Sequence, residues 1–369
     1  MKIAKRDIVE GPIELKGYPL VELEQLFLGA GERKYRAKQV YDAIYIQRVD
    51  SIQDMTLLPQ EMRDRFESGF RTQSVKLLTV QESKDGTKKF LFELWDGRAI
   101  ESVLIPSEMI VDGEHPRRLT LCVSTQVGCN LGCVFCATAS LKLARNLTSG
   151  EIVDQFLQAQ KFSDKPITNI VFMGMGEPMN NYDNVMKATQ IFTDQRTKMV
   201  ASRRTTISTA GVIPGIIRMA DEGQLIKLAV SLHATTQEVR AELMPIAKKY
   251  QLPELIEALE YYYRKTHKSV TYEYILFDGL NDTLADVKRL GRLARRMPTK
   301  VNVIPFHEID FALPEDFNMS LKPSSTEQFQ WFTDALRAED VQVNVRSSAG
   351  LDIDAACGQL ALSKEGTGQ

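Results

Sequence analysis

Apolar residues recur along the chain in three successive patterns. From about Leu20 to Phe70 the spacing is helical. Ala37, Val40, Ile44 and Tyr45 share a face, and Leu57-Leu58-Pro59 breaks the pattern before a second helical stretch. From about Val75 to Ile105 the period is two. Val75-Lys76-Leu77 and Phe90-Leu91-Phe92-Glu93-Leu94 read as strands, with Asp85-Gly86 and Asp96-Gly97 as the turns of an antiparallel meander. From about Leu119 onward, short β-branched runs alternate with helical ones. Strands are predicted at 119–123, 169–172, 205–208, 227–231, 270–276, 301–304 and 341–345, and helices between them include 150–162, 254–264, 284–296 and 326–338. Unbroken alternation of strand and helix is parallel α/β structure. Six or seven such units predict a full or partial barrel, with its site at the C-terminal strand ends.

The expected fold class is therefore α/β: a partial (β/α)6 barrel over residues 113–362, preceded by a small N-terminal helical module (1–72) and an antiparallel β-meander linker (73–112), and followed by a flexible tail (363–369). No internal repeat or low-complexity tract is present. Composition is that of an ordinary soluble domain, 43% hydrophobic and 25% charged. No run approaches the roughly 18 apolar residues a membrane helix needs, and the charged start has no apolar core behind it. A cytoplasmic monomer without membrane contacts is the expectation. With 46 Lys and Arg against 48 Asp and Glu, net charge is −2, so any polyanion footprint must be local. The local basic groups are Arg33, Lys34, Arg36 and Lys38; Lys142 and Arg145; Arg203 and Arg204; and Arg289, Arg292, Arg295 and Arg296. Each, taken singly, reads as a solvated face.

Five cysteines, an odd number, argue against a disulfide framework. Cys122, Cys129, Cys133 and Cys136 cluster, and Cys357 stands alone. The run Cys129-Asn-Leu-Gly-Cys133-Val-Phe-Cys136 directly follows the first strand of the α/β series. Three thiolates at this spacing can hold three irons of a cubane cluster and leave the fourth open. The competing reading is a zinc site with Cys122 as fourth ligand, but zinc motifs usually present two close pairs set farther apart. After a later strand, Met173-Gly174-Met175-Gly176-Glu177-Pro178 places two glycines and a carboxylate where backbone can approach a ligand.

CxxxCxxC with Phe135 before the last cysteine resembles the radical S-adenosylmethionine (SAM) superfamily. The finer resemblance is to the RlmN/Cfr family of 23S rRNA adenine methyltransferases. It is carried by Leu121–Cys129, Met173–Pro178, Ser231-Leu232-His233-Ala234, Asp352-Ile353-Asp354-Ala355-Ala356-Cys357-Gly358-Gln359-Leu360, and Tyr35–Val40 in the helical module. The C-terminal motif and the helical module look more like the RlmN branch, which methylates adenine C2, than the Cfr branch, which acts on C8. The resemblance implies a [4Fe-4S] cluster on Cys129, Cys133 and Cys136, and two SAM molecules per turnover, one as methyl donor and one as radical source. It implies SAM contacts at Gly176, Glu177, Ser208, Ser231, Leu232 and His233. His307 falls where many family members carry asparagine.

The resemblance further implies that Cys357 carries the methyl group, that Cys122 resolves the protein–RNA adduct, and that Glu101 is a proton acceptor. On their own residues, Cys122 reads as core filler, Cys357 as incidental and Glu101 as solvated. The implied partners are 23S rRNA, with a tRNA anticodon-loop adenosine as a second substrate, and an electron donor such as a flavodoxin or ferredoxin system. The helical module, with Arg33, Lys34, Arg36 and Lys38, is the expected RNA-binding accessory. A non-catalytic metal-binding RNA module is the alternative from another class.

Overall fold

The computed structural model describes residues 12–107, 118–308, 321–346 and 348–360. Its spine is one ten-stranded mixed sheet. Three antiparallel strands come first, β1 (Val75–Glu82), β2 (Lys88–Leu94) and β3 (Ala99–Pro106). Strand β4 (Leu119–Cys122) pairs antiparallel with β3 and opens a parallel series. That series continues through β5 (Asn169–Phe172), β6 (Thr205–Thr209), β7 (Lys227–Ser231), β8 (Val270–Leu276), β9 (Thr299–Pro305) and β10 (Gln342–Val345). Chain order and spatial order coincide, and β1 and β10 remain open edges, so the barrel is partial. The meander is no separate linker. β3 sits inside the sheet, in register with β4 from Val103–Cys122 to Pro106–Leu119.

Helices lie between successive parallel strands: α4 (Ser149–Gln160), α5 (Tyr182–Thr193), α6 (Ile213–Asp221), α7 (Gln237–Leu243), α8 (Leu252–Thr266), α9 (Leu284–Ala294) and α10 (Thr326–Ala338). Three of them start with reciprocal caps, Thr148 with Glu151, Gln251 with Glu254 and Thr283 with Asp286, which satisfy backbone donors at the helix entry. The last strand and its predecessor have no long apolar run, yet β9 pairs with β8 and β10 with β9, because the parallel ladder supplies what local propensity does not.

The N-terminal module packs helices α1 (Leu20–Gly29), α2 (Lys34–Asp42) and α3 (Gln60–Gly69) around Phe27, Val40, Tyr41 and Phe66. It docks on α4. The Lys16 ammonium reaches Asp154 at 2.6 Å, both groups buried, and Asp154 also accepts from the Ser74 and Val75 amides. At Gly17, in the left-handed region, a Cβ would sit 2.2 Å from the Gly150 nitrogen, so the two backbones meet only as glycines. Among the described residues no helix is long and apolar enough to cross a membrane. The tail expected at 363–369 lies outside the described residues.

Candidate active site

Two adjoining clefts open at the C-terminal ends of the parallel strands. The first, about 830 Å³, is walled by Cys129, Cys133 and Cys136 from the loop after β4, Gly174, Gly176 and Glu177 after β5, Ser208 at the end of β6, Ser231 ending β7, and His233 beyond it. The second, about 1600 Å³, is walled by Cys122, Arg118, Asn302, His307, Asn344 and Ser348. Cys357, Gly358, Met173, Ile304 and Arg346 belong to both walls. Cys122 thus faces away from the other clustered cysteines, which separates it from them as a fourth ligand.

The first cleft is built from close backbone approaches. The Ser124 hydroxyl accepts from the Met175 amide and the Gln126 carboxamide accepts from the Glu177 amide, folding the Met173–Pro178 loop onto the loop after β4. A Cβ on Gly174 would come within 2.8 Å of the Val123 carbonyl, and one on Gly176 within 2.5 Å of Gln126. Glu177 is buried, and its oxygens accept from the Ala210 amide at 2.8 Å and the Met179 amide at 3.0 Å. Burial raises its carboxyl above the ordinary range, against the pull of these donors. The Thr209 side chain is a further hydrogen-bond partner, and the carboxyl group borders the first cleft. His233 accepts from the Ile275 amide at Nδ1, 3.0 Å, so its proton sits on Nε2. Burial, then the Arg240 guanidinium, pull its pKa down to about 3, so the ring is neutral.

The three cysteine thiols are raised chiefly by burial, as uncharged groups in a water-poor wall must be; a metal would reverse this by binding the thiolates. Their chemistry and their shared wall fit a cluster that would take one cysteine sulfur at each of three irons. Phe135 between them packs edge-on to the His233 ring at 4.7 Å.

A row of polar residues in register runs from the first cleft to the second, Ser231, Glu273, Asn302 and Asn344. The Asn302 amide donates to Glu273 at 2.8 Å and the Asn344 amide to Asn302 at 3.1 Å. Arg346 closes the row, its guanidinium 3.4 Å from Glu273 and within hydrogen-bond reach of the Met173 sulfur. Its field also reaches Cys122 and Cys357. Burial pushes the Cys122 thiol up to about 12, Cys357 adds to the rise, and Arg346 opposes it.

The loop carrying Cys357 is held at several points. Gly350 donates to Asp85 at 2.8 Å, and the Lys89 ammonium reaches the Asp354 carbonyl at 3.5 Å. Beyond Cys357, the Gly358 carbonyl accepts from the Ala137 amide and the Leu360 carbonyl from the Thr138 hydroxyl, both at 2.6 Å.

Three expectations look different in place. Glu101 is buried rather than solvated, because β3 is an interior strand covered on both faces; it lies 3.8 Å from Lys89 and walls neither cleft. Leu232 is buried behind the first cleft, its amide donating to Glu273. His307 belongs to the second cleft, where its Nε2 meets the Ser348 hydroxyl at 2.6 Å. Glu273, Asn302, Arg240 and Arg346 were not singled out from sequence. Glu273 carried a signal, a carboxylate between Tyr272 and Tyr274 in an otherwise apolar strand, whereas Arg346 sits at a strand end with none.

A parallel α/β partial barrel with CxxxCxxC after its first strand and a glycine-rich loop after its second defines a radical SAM enzyme. Residues 123–291 match the radical SAM superfamily, and residues 13–71 match the ribosomal RNA large subunit methyltransferase N-terminal domain. The crystal structure of a radical SAM methyltransferase from Sphaerobacter thermophilus superposes with a TM-score of 0.86 at 38% identity, covering 95% of this chain and 99% of that one. The dual-specificity RNA methyltransferase RlmN of Geobacter sulfurreducens is 42% identical over 97% of this chain and 96% of its own length. The protein of the same name from Geotalea uraniireducens is 42% identical over 94% and 96%. The chain belongs to the RlmN family. Its cofactors are a [4Fe-4S] cluster and SAM.

Proposed function

We propose that this protein methylates C2 of an adenosine in 23S rRNA, and of a tRNA anticodon-loop adenosine, through a methyl group carried on Cys357. The observation that carries the reading is the position of Cys357, which walls both the cleft of the three cysteines and the cleft of Cys122. Adenine C2 is electron-poor and does not attack a methyl sulfonium, whereas a thiolate does. When bound, the cluster and SAM supply the methyl group and the radical that activates it.

The chain's residues then divide the work. Cys129, Cys133 and Cys136 hold the cluster. Gly176, Glu177, Ser208, Ser231, Leu232 and His233 hold SAM: the glycine admits it, the carboxylate takes its ammonium and the neutral His233 offers an N–H. His307, in the adjoining cleft, is assigned a contact at the boundary between cofactor and nucleotide. The second cleft receives the flipped-out adenosine, since chemistry on a base edge requires unstacking it. Cys357 carries the one-carbon unit to the ring and remains bonded to it through carbon. Cys122, on the same wall, attacks the Cys357 sulfur: the sulfur–carbon bond breaks, its electron pair goes to the carbon, which takes up a proton to become the ring's methyl group, and a Cys122–Cys357 disulfide remains. Arg346, on the same wall as both sulfurs, supplies positive charge near them. Glu101, joined through Lys89 to the loop of Cys357, is assigned as proton acceptor. Arg33, Lys34 and Lys38, exposed on the N-terminal module, are assigned to phosphate. A small electron-transfer protein is assigned as reductant.

The test is mass spectrometry of nucleosides from rRNA and tRNA transcripts treated with anaerobically reconstituted protein. The reading requires 2-methyladenosine. 8-Methyladenosine would move the protein to the other branch, and no methyladenosine from either RNA would contradict the reading.

A further inference from the structure

Arg240 is the largest fully buried side chain in the described structure. It projects from α7, whose first turn is capped by the Thr236 hydroxyl. One guanidinium nitrogen, Nη2, donates to the Ala210 carbonyl at 2.7 Å and the Ser231 carbonyl at 3.2 Å, two residues that wall the first cleft. Its Nε and Nη1 have no hydrogen-bond partner, and among the described residues it makes no ion pair with a carboxylate. Burial pulls its pKa down only to about 10, so it stays charged at neutral pH.

A buried cation with two unspent donors is destabilising unless an anion completes it. The acidic group whose field reaches Arg240 is the Cys133 thiol. The cysteine loop also touches α7 directly: the Val134 amide, next to Cys133, donates to the Leu243 carbonyl at 3.1 Å, and Val239, the neighbour of Arg240, packs in the same apolar cluster as Cys133 and Cys136. Three thiolates and a carboxylate converging on one water-poor wall gather negative charge, and Arg240 is the cation set against it.

We propose that Arg240 is the buried counter-cation of the iron–sulfur cluster, a positioning residue that raises the cluster's reduction potential and leaves the cluster-free protein with an uncompensated charge. This rests on the three cysteines holding the cluster. A positive charge a few ångströms from a redox centre favours the reduced form, and in a low-dielectric wall the effect is on the order of tenfold or more in the reduction equilibrium. One electron makes tenfold about 59 mV.

The experiment compares full-length wild type, Arg240→Gln and Arg240→Lys, reconstituted anaerobically, by redox titration followed by EPR, with thermal unfolding of each cluster-free protein. Arg240→Gln keeps a donor for the two carbonyls but no charge; its cluster should be harder to reduce by about tenfold or more, and its cluster-free form should melt no lower than wild type. Arg240→Lys should keep a potential near wild type. If Arg240→Gln reduces at the wild-type potential, or both variants shift alike, Arg240 is a backbone staple and the proposal falls. If Arg240→Gln only unfolds while Arg240→Lys shifts the potential as far as a lost charge would, the proposal falls as well. A wild-type protein that takes up no iron would instead sink the cluster assignment itself.

Discussion

At Cys122 the fold and the chemistry ask for opposite states. The thiol is buried on an apolar strand, and burial lifts its pKa to about 12. Attack on the Cys357 sulfur needs the thiolate. Near neutrality only about one molecule in 10⁵ has it, and each unit by which pH rises toward the pKa multiplies that fraction about tenfold. Decay of the protein–RNA adduct, followed in single turnover between about pH 6.5 and 9, should therefore accelerate close to tenfold per unit; a flat profile would mean that another step limits release. At this scale the sequence was informative wherever a residue sat in a motif. Cys129, Cys133, Cys136, Glu177 and His233, all in motifs, wall one cleft. Arg240, Arg346 and Asn302 did not announce themselves, because an arginine or asparagine has no spacing rule; strand register brings Asn302 to the cleft, Arg346 directly follows the last strand, and Arg240 reaches the cleft wall from α7. Glu101 was misjudged in exposure because alternation along one strand does not reveal that both faces are covered.

The elements that matter most are the two loops after β4 and β5. They cross with almost no clearance, and the crossing is made of backbone. At Gly176 the left-handed φ of 98° and the nearness of Gln126 act together. A methyl group there cannot be relieved by a rotamer change alone. Gly176→Ala should cost about 2 kcal/mol of stability and weaken SAM binding, since the amide of Glu177 is held by the same Gln126 side chain. Calorimetry of SAM binding alongside thermal unfolding checks both, and an unchanged affinity would detach this loop from the SAM site. Periodicity located all seven parallel strands to within two residues, because β-branched runs bounded by turn residues are short and distinct. Four of the helices between them were named outright. The meander's place inside the sheet was not legible, since pairing between distant strands leaves no local mark.

Over the whole molecule, the N-terminal module is clamped to the barrel through a buried polar seam. Glu14 lies in it, accepting from the Thr148 hydroxyl at 2.8 Å beside the α4 entry. Burial, the leading cause, and nearby Glu151 raise its pKa to about 7 from 4.5. The folded protein therefore holds this proton where the unfolded chain has lost it. The group's contribution favours folding below about pH 4.5 and is lost as pH rises to about 7, at roughly 1.4 kcal/mol per unit. Glu14→Gln should gain little stability over wild type at pH 5 and up to about 3 kcal/mol at pH 8. Denaturant melts at the two pH values decide it, and equal differences at both would place the proton elsewhere. Of the basic groups seen in sequence, Arg145 is spent on Asp96 and Glu151, and Arg295 and Arg296 on Glu339 and Glu260. Charge counting located cations; only the fold tells which are already engaged.

The relay itself is tested most directly by Cys122→Ala. Cys122 walls the second cleft with Cys357 and takes no part in the wall that holds the other three cysteines. The variant should keep its iron, methylate Cys357 and cleave SAM. It should then stop with RNA bonded to Cys357, because a carbon–sulfur bond does not hydrolyse unaided and the thiol that would displace it is gone. On a denaturing gel with labelled RNA, the account predicts a protein–RNA band in Cys122→Ala that is absent from Cys122→Ala/Cys357→Ala. Wild-type turnover by Cys122→Ala, or failure before any such band forms with the cluster intact, would contradict it.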